Sequence, residues 1–166
     1  MTAPEVDAAK ALLKQGRSSE AIRILQQAES RNPRDPEVLM ELAAIYSFLG
    51  MPAMAVEYER RAAKVDAGLP EVWNAMGADL HRMGDLTRSA GAYRRALELD
   101  PSLATAAYNL ARVAAQQGER KEASAALKRA IALKPDLAEE ARREEALAKL
   151  LDDAGLRKRP APRRSS

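Results

Sequence analysis

Residues 70–103 read PEVWNAMGADLHRMGDLTRSAGAYRRALELDPSL, and this stretch decides the fold. Val72, Trp73, Met76 and Leu80 recur at the spacing of one helix face, and after Gly84 the set Leu86, Ala90, Tyr93, Ala96 and Leu97 does so again. Pro70 stands where a helix begins, because the N–H it lacks is one that a first helical turn does not use. Pro101 closes the second segment, since proline disfavours helical geometry in the residue before it. The stretch predicts a helix, a tight turn at Gly84, and a second helix returning along the first.

Moving outward in steps of 34 residues finds the same punctuation at Gly16, Gly50, Gly84 and Gly118. Three columns of small residues keep that step: Ala28, Ala62, Ala96 and Ala130; Ala21, Ala55, Ser89 and Ala123; Ala9, Ala43, Gly77 and Ala111. Pro33, Pro101 and Pro135 form another column, interrupted by Ala67, and Asp35 before Pro36 is a candidate N-cap. Gly77 and Ser89 let the two axes of one unit approach, and Ala96 lets the second helix meet its neighbour. Trp73, Tyr93 and Tyr46 fill the space that remains. One helix pair cannot bury both of its faces, so the units must stack to be stable.

The composition of the 166-residue chain suits thin helical layers, with 35 alanines, one Phe and one Trp. The absence of cysteine excludes disulfides, thiolate zinc sites and a cysteine nucleophile, and it fits a reducing compartment. No run approaches the roughly 18 apolar residues of a spanning helix, and Met1 to Gly16 lacks a basic head followed by an apolar run. The expectation is an unprocessed, cytoplasmic protein. Alanine abundance, with 19 Arg against 8 Lys, suggests a GC-rich, bacterial genome. The net charge of +3 is unevenly placed: residues 157–166 hold five basic side chains and no acidic one, leaving 22 minus 24, or −2, for residues 1–156. The body is therefore not a uniformly nucleic-acid-binding surface.

With these columns in place, the chain resembles the tetratricopeptide repeat (TPR) family, with units at 2–35, 36–69, 70–103 and 104–137. In the third unit Trp73, Met76, Gly77, Leu80, Gly84, Asp85, Tyr93, Ala96, Leu97, Leu99, Asp100 and Pro101 all fall on the family pattern. The first unit departs from it at Glu5 and Ala8, and the second has Glu59 in the column of Tyr93, with Tyr58 one residue earlier as a candidate substitute. The resemblance implies an all-α fold, a right-handed α-solenoid of antiparallel helix pairs. Residues 138–154, AEEARREEALAKLLDDA, are expected to form one capping helix with Ala141, Leu147, Ala148 and Leu151 on its covered side, ended by Gly155. The domain thus spans 1–156, and the basic stretch 157–166, with two prolines and nothing to bury, is expected to be disordered.

The resemblance further implies a concave groove lined by the first helix of each unit, through the columns Val6/Met40/Asn74/Tyr108, Lys10/Ala44/Ala78/Arg112 and Leu13/Ser47/His81/Ala115. Phe48, Arg82 and Gln116 lie at its edge, and Arg112, Arg82, Arg142 and Lys149 make its far end basic. One reading is that this end, with Tyr108 and Asn109, receives an acidic or C-terminal segment of a partner, because Arg grips a carboxylate with two prongs and Asn bonds a peptide backbone both ways. The competing reading packs Tyr108 between units and leaves the arginines in water. Phe48 is either a ligand anchor or a cover for its neighbour.

Several other chemistries are argued against. TPR cochaperones that hold chaperone tails pair a Lys with an Asn one turn later on a first helix; the matching pairs here are Val6/Lys10, Met40/Ala44, Asn74/Ala78 and Tyr108/Arg112, and none fits. His81 is the one histidine, too few for a metal site in a chain without cysteine, and Arg82 beside it with Asp85 one turn on makes a weak catalytic constellation. The pairs Glu37/Glu41 and Glu140/Glu144 read as solvated helix faces, Trp73 reads as packing, and each turn glycine stands alone, unlike a phosphate loop. The expectation is a non-enzymatic adaptor without cofactor or metal that binds a protein or peptide partner. The alternatives are a structural or self-associating module, and an anion-binding role, toward nucleic acid or a membrane surface, for the basic stretch.

Overall fold

The computed structural model describes residues 4–153, and the basic stretch 157–166 with its Gly155 stop lies outside them. Eight helices pair in chain order: α1 (Pro4–Lys14) with α2 (Ser18–Arg31), α3 (Pro36–Phe48) with α4 (Pro52–Val65), α5 (Pro70–Arg82) with α6 (Leu86–Leu99), and α7 (Ala104–Gln116) with α8 (Arg120–Leu133). Two shorter helices, α9 (Leu137–Arg143) and α10 (Glu145–Asp153), follow. No strand occurs among the described residues. The chain divides into two compact units, Met1–Pro101 with α1 to α6 and Ser102–Ser166 with α7 to α10.

Each pair turns at its glycine. Gly16, Gly50, Gly84 and Gly118 have φ of 74, 73, 78 and 79°, the left-handed region that a residue with a Cβ enters only under strain. Helix starts carry the expected chemistry: Pro36, Pro52 and Pro70 open their helices, and the Asp35 carboxylate accepts from the backbone N–H of Glu37 at 3.0 Å and of Val38 at 3.2 Å.

Within a pair, small residues set the distance between axes. A Cβ placed on Gly77 would stand 2.7 Å from the Tyr93 ring, and the buried Ser89 hydroxyl donates to the Gly77 carbonyl at 2.7 Å. The α5–α6 crossing is therefore fixed by one missing methyl and one hydrogen bond. In the second repeat the Tyr46 and Tyr58 rings stack at 5.5 Å, the Arg61 guanidinium lies 5.1 Å from the Tyr58 ring centre, and Tyr58 donates to Glu29. Tyr58 thus packs toward the first repeat, and Glu59 itself enters the core where the Tyr93 column does. Leu25, Leu39, Leu42 and Ile45 are fully buried in the first unit, as are Val113, Leu127, Leu147 and Leu151 in the second. Each such side chain contributes about 1.5–3 kcal/mol by leaving water.

The segment expected as one capping helix over 138–154 is interrupted. Glu144 takes extended backbone angles, φ −103° and ψ 113°, between α9 and α10. Leu137 and Ala141 from α9 and Leu147, Leu150 and Leu151 from α10 are buried, and α10 packs on both α7 and α8. The break lets two short amphipathic pieces cover a helix pair that one straight rod would cover only along a line.

Candidate functional site

In the first unit, α3 and α5 face each other across a cleft of about 390 Å³. Met40, Ala44, Ser47 and Phe48 line it from α3, Ala75, Ala78, Asp79 and Arg82 from α5, and Glu59 from α4. The space exists because Ala44, Ala75 and Ala78 present only methyl groups between two helix axes. Four of the expected groove residues, Met40, Ala44, Phe48 and Arg82, therefore come together here. Phe48 stands 81% exposed at the edge, whereas Tyr46, Tyr58, Tyr93 and Tyr108 are all buried. It is not covering a neighbour.

The base of the cleft is polar and internally bonded. Ser47 donates its hydroxyl to Asp79 at 3.0 Å, Arg82 donates to the Ser47 carbonyl at 2.9 Å and to the Ser47 hydroxyl, and the Arg82 guanidinium pairs with Asp79 at 2.7 Å. Glu59 and Asp79 are each 1% exposed. Burial, and next the negative charge and hydrogen bond of Asp79, push the Glu59 carboxyl up to about 8, so it is protonated at neutral pH. Burial also raises Asp79, against the opposing pull of Arg82. The Oε2 of Glu59 has no hydrogen-bond partner. Glu59 is then neutral, Asp79 and Arg82 offset each other, and the cleft offers apolar walls over a nearly uncharged, hydrogen-bonding base.

The remaining residues of the expected site fall as follows. Asn74 and His81 are half-buried on α5, with the Asn74 Oδ1 buried and unbonded. In the second unit Tyr108 is buried, Asn109 and Arg112 are half-buried, and Gln116 is exposed on α7. Tyr108 donates to Glu144 Oε1 at 2.9 Å and Arg112 Nε donates to Glu144 Oε2 at 2.9 Å. Burial, then the bond to Glu144, pushes the Tyr108 phenol up. Glu144 is therefore not on a solvated helix face, as expected from its spacing with Glu140; the helix break turns its carboxylate onto α7. Arg142 pairs with Glu139 within α9, and Lys149 with Glu145 within α10 at 2.6 Å. Of the expected basic end, Arg112 thus holds a long-range carboxylate of its own unit, whereas Arg142 and Lys149 keep only exposed short-range pairs that hold a cation weakly.

Asp79, Glu59 and Ser47 were not singled out as a polar base. Two signals pointed to it: an acid in the aromatic column of Tyr93, and Asp79 three residues before Arg82, a spacing at which helical side chains meet. Among the described residues no group of three potential ligating side chains could hold a metal ion, and no helix is long and apolar enough to cross a membrane.

Repeated antiparallel helix pairs, with a side-chain-lined cleft between successive first helices, define a helical-repeat scaffold. The chain belongs to the tetratricopeptide repeat family: family models of that description match residues 5–45 and 69–136. No curated protein matches the chain at a significant level. Among solved structures, that of MamA superposes with a TM-score of 0.79 at 24% identity, over 90% of this chain and 85% of that one. YrrB, described as a TPR protein with an unusual peptide-binding site, gives 0.75 at 16% identity over 91% and 83%. The first TPR of Spaghetti (RPAP3), bound to an HSP90 peptide, gives 0.66 at 22% identity over 69% and 90%. These likenesses bear on the fold.

Proposed function

We infer that this protein is a non-enzymatic, cytoplasmic adaptor that holds a peptide segment of another protein in the α3–α5 cleft. The observation that carries this reading is Phe48, 81% exposed at the mouth of a cleft walled by Met40, Ala44 and Ala78. A large aromatic held in water beside a preformed apolar cleft has the character of a binding anchor, and the bonded base spares the scaffold an ordering cost. The peptide bound to RPAP3 and the peptide-binding site of YrrB support a peptide as the ligand class. A partner carboxylate at Tyr108 and Arg112 would first have to displace Glu144. The test is affinity capture from native lysate with the full chain. Wild type and Glu98→Lys should hold the same discrete protein, and Ala44→Arg with Phe48→Ala should lose it at unchanged helicity. Retention by the cleft variant would remove the reading.

A second reading, assembly through an apolar edge, has its own observation. Phe48, Leu49, Met51 and Met54 are exposed around the α3–α4 turn, and Met83, also exposed, holds the place of Leu49 in the next repeat. Sedimentation would show self-association that Met51→Lys with Met83→Lys abolishes; a monomer at all concentrations sets it aside.

A further inference from the structure

Helix α5 has a second working face. Ala75, Ala78, Asp79 and Arg82 face the cleft described above, so Trp73, Met76 and Leu80, at about 100° per residue, lie on the opposite side of the helix. There they floor a separate cavity of about 580 Å³, walled by α4 and α6. Both walls pack on α5 and make at most marginal contact with each other. The small residues Gly91 and Ala92 keep the gap open, and a Cβ placed on Gly91 meets nothing within 4 Å. Trp73 is half-buried, with Nε1 donating to the Ala67 carbonyl at 3.0 Å, so its ring is held in place along the floor.

The rim of this trough is basic. Arg60 and Lys64 stand one turn apart on α4, Arg88 stands on α6, and no acidic side chain lines the cavity. Among the described residues Arg60 and Arg88 pair only with Glu57 and Asp85, three residues away, and exposed pairs of this kind are worth about 0–1 kcal/mol. An incoming carboxylate can replace either partner. Lys64 has no partner among the described residues.

We propose that this trough docks an acidic amphipathic helix of a partner protein, its apolar stripe on Trp73, Ala63 and Ala67 above the buried Met76 and Leu80, and its flanking carboxylates on Arg60, Lys64 and Arg88. The walls α4 and α6 are 14 residues each, about 21 Å long, the length of a four-turn helix. The charge of the rim selects the occupant. The chain's own stretch 157–166, with five basic residues and no acid, is repelled. A second copy offers α10 as an acidic candidate, but its Leu147, Leu150 and Leu151 are already buried at home. The trough is independent of the cleft, since the two lie on opposite faces of α5.

Trp73 is the single tryptophan of the chain, so its emission reports occupancy directly. Two synthetic probes of about 16 residues, long enough for four turns, carry the same Leu/Ala stripe and no aromatic residue, with Glu on the polar face of one and Lys on that of the other. Titrated into the full-length protein, the Glu probe should shift Trp73 emission to saturation and the Lys probe should not. Arg60→Glu with Lys64→Glu should weaken the Glu probe by about tenfold or more. Gly91→Leu fills the trough while improving helix propensity, so it should block binding without unfolding α6; Ala44→Arg should leave binding intact. A flat Trp73 signal with the Glu probe, an equal response to both probes, full binding to Gly91→Leu, or loss through Ala44→Arg would overturn the proposal, as would a response to dodecanoate alone.

Discussion

Gly77 and Glu59 show how much one side chain decides here. With the Tyr93 ring 2.7 Å from where a Cβ would stand, and Tyr93 itself 1% exposed, Gly77→Ala forces the two helices apart. We expect a loss of about 1–3 kcal/mol in urea unfolding, the usual cost of overpacking. Glu59 acts through its proton. Its carboxyl is raised from 4.5 to about 8, so between those values the folded chain holds a proton that the unfolded chain has released. Stability is then fully present below about pH 4.5 and falls as pH rises toward 8. Glu59→Gln should flatten this dependence and raise the melting temperature at pH 8 by a few degrees, measured by circular dichroism across the pH range. The Gly77 column was legible from the sequence because Ala9, Ala43, Gly77 and Ala111 are all small at the same 34-residue step, as a close helix crossing requires. The environment of Glu59 was legible only in part, because an acid in an aromatic column points to a polar base but its burial against Asp79 comes from a helix 20 residues away.

At the scale of elements, the helix starts and turns could be read directly, since Pro, Asp and Gly act locally. Asp35→Ala should remove two bonds to the first turn of α3 and cost about 1 kcal/mol, seen as a lower urea midpoint. The interruption at Glu144 could not be read in the same way. Residues 138–154 are helix formers throughout, with neither Gly nor Pro to mark a stop. What the structure shows at the break is tertiary: Tyr108 and Arg112 hold the Glu144 carboxylate at 2.9 Å each. Glu144→Ala should therefore loosen the end of the second unit specifically. Amide exchange in α9 and α10 is expected to quicken by about tenfold, the equivalent of one charge-assisted bond, with α3 to α6 unchanged. Uniform acceleration across both units would show instead that the contact supports the whole chain.

For the whole molecule, the repeat fold was legible because four units restate the same pattern, and no single departure, at Glu5 or Glu59, erases it. The site was legible only in part. Met40, Ala44, Phe48 and Arg82 follow from their place on first helices and gather in one cleft, whereas Arg112 is held by Glu144, a carboxylate 32 residues away that spacing could not assign to it. Helical repeats present long faces, and charge on a face says little until its partners are known. The proposed function rests on the α3–α5 cleft. A benzophenone side chain introduced in place of Phe48, with a second at Glu98 as control, tests it most directly by photocrosslinking in the native cell. A peptide-binding cleft predicts a discrete protein adduct at position 48 that disappears with Ala44→Arg. No adduct there, or equal labelling at position 98, would contradict it.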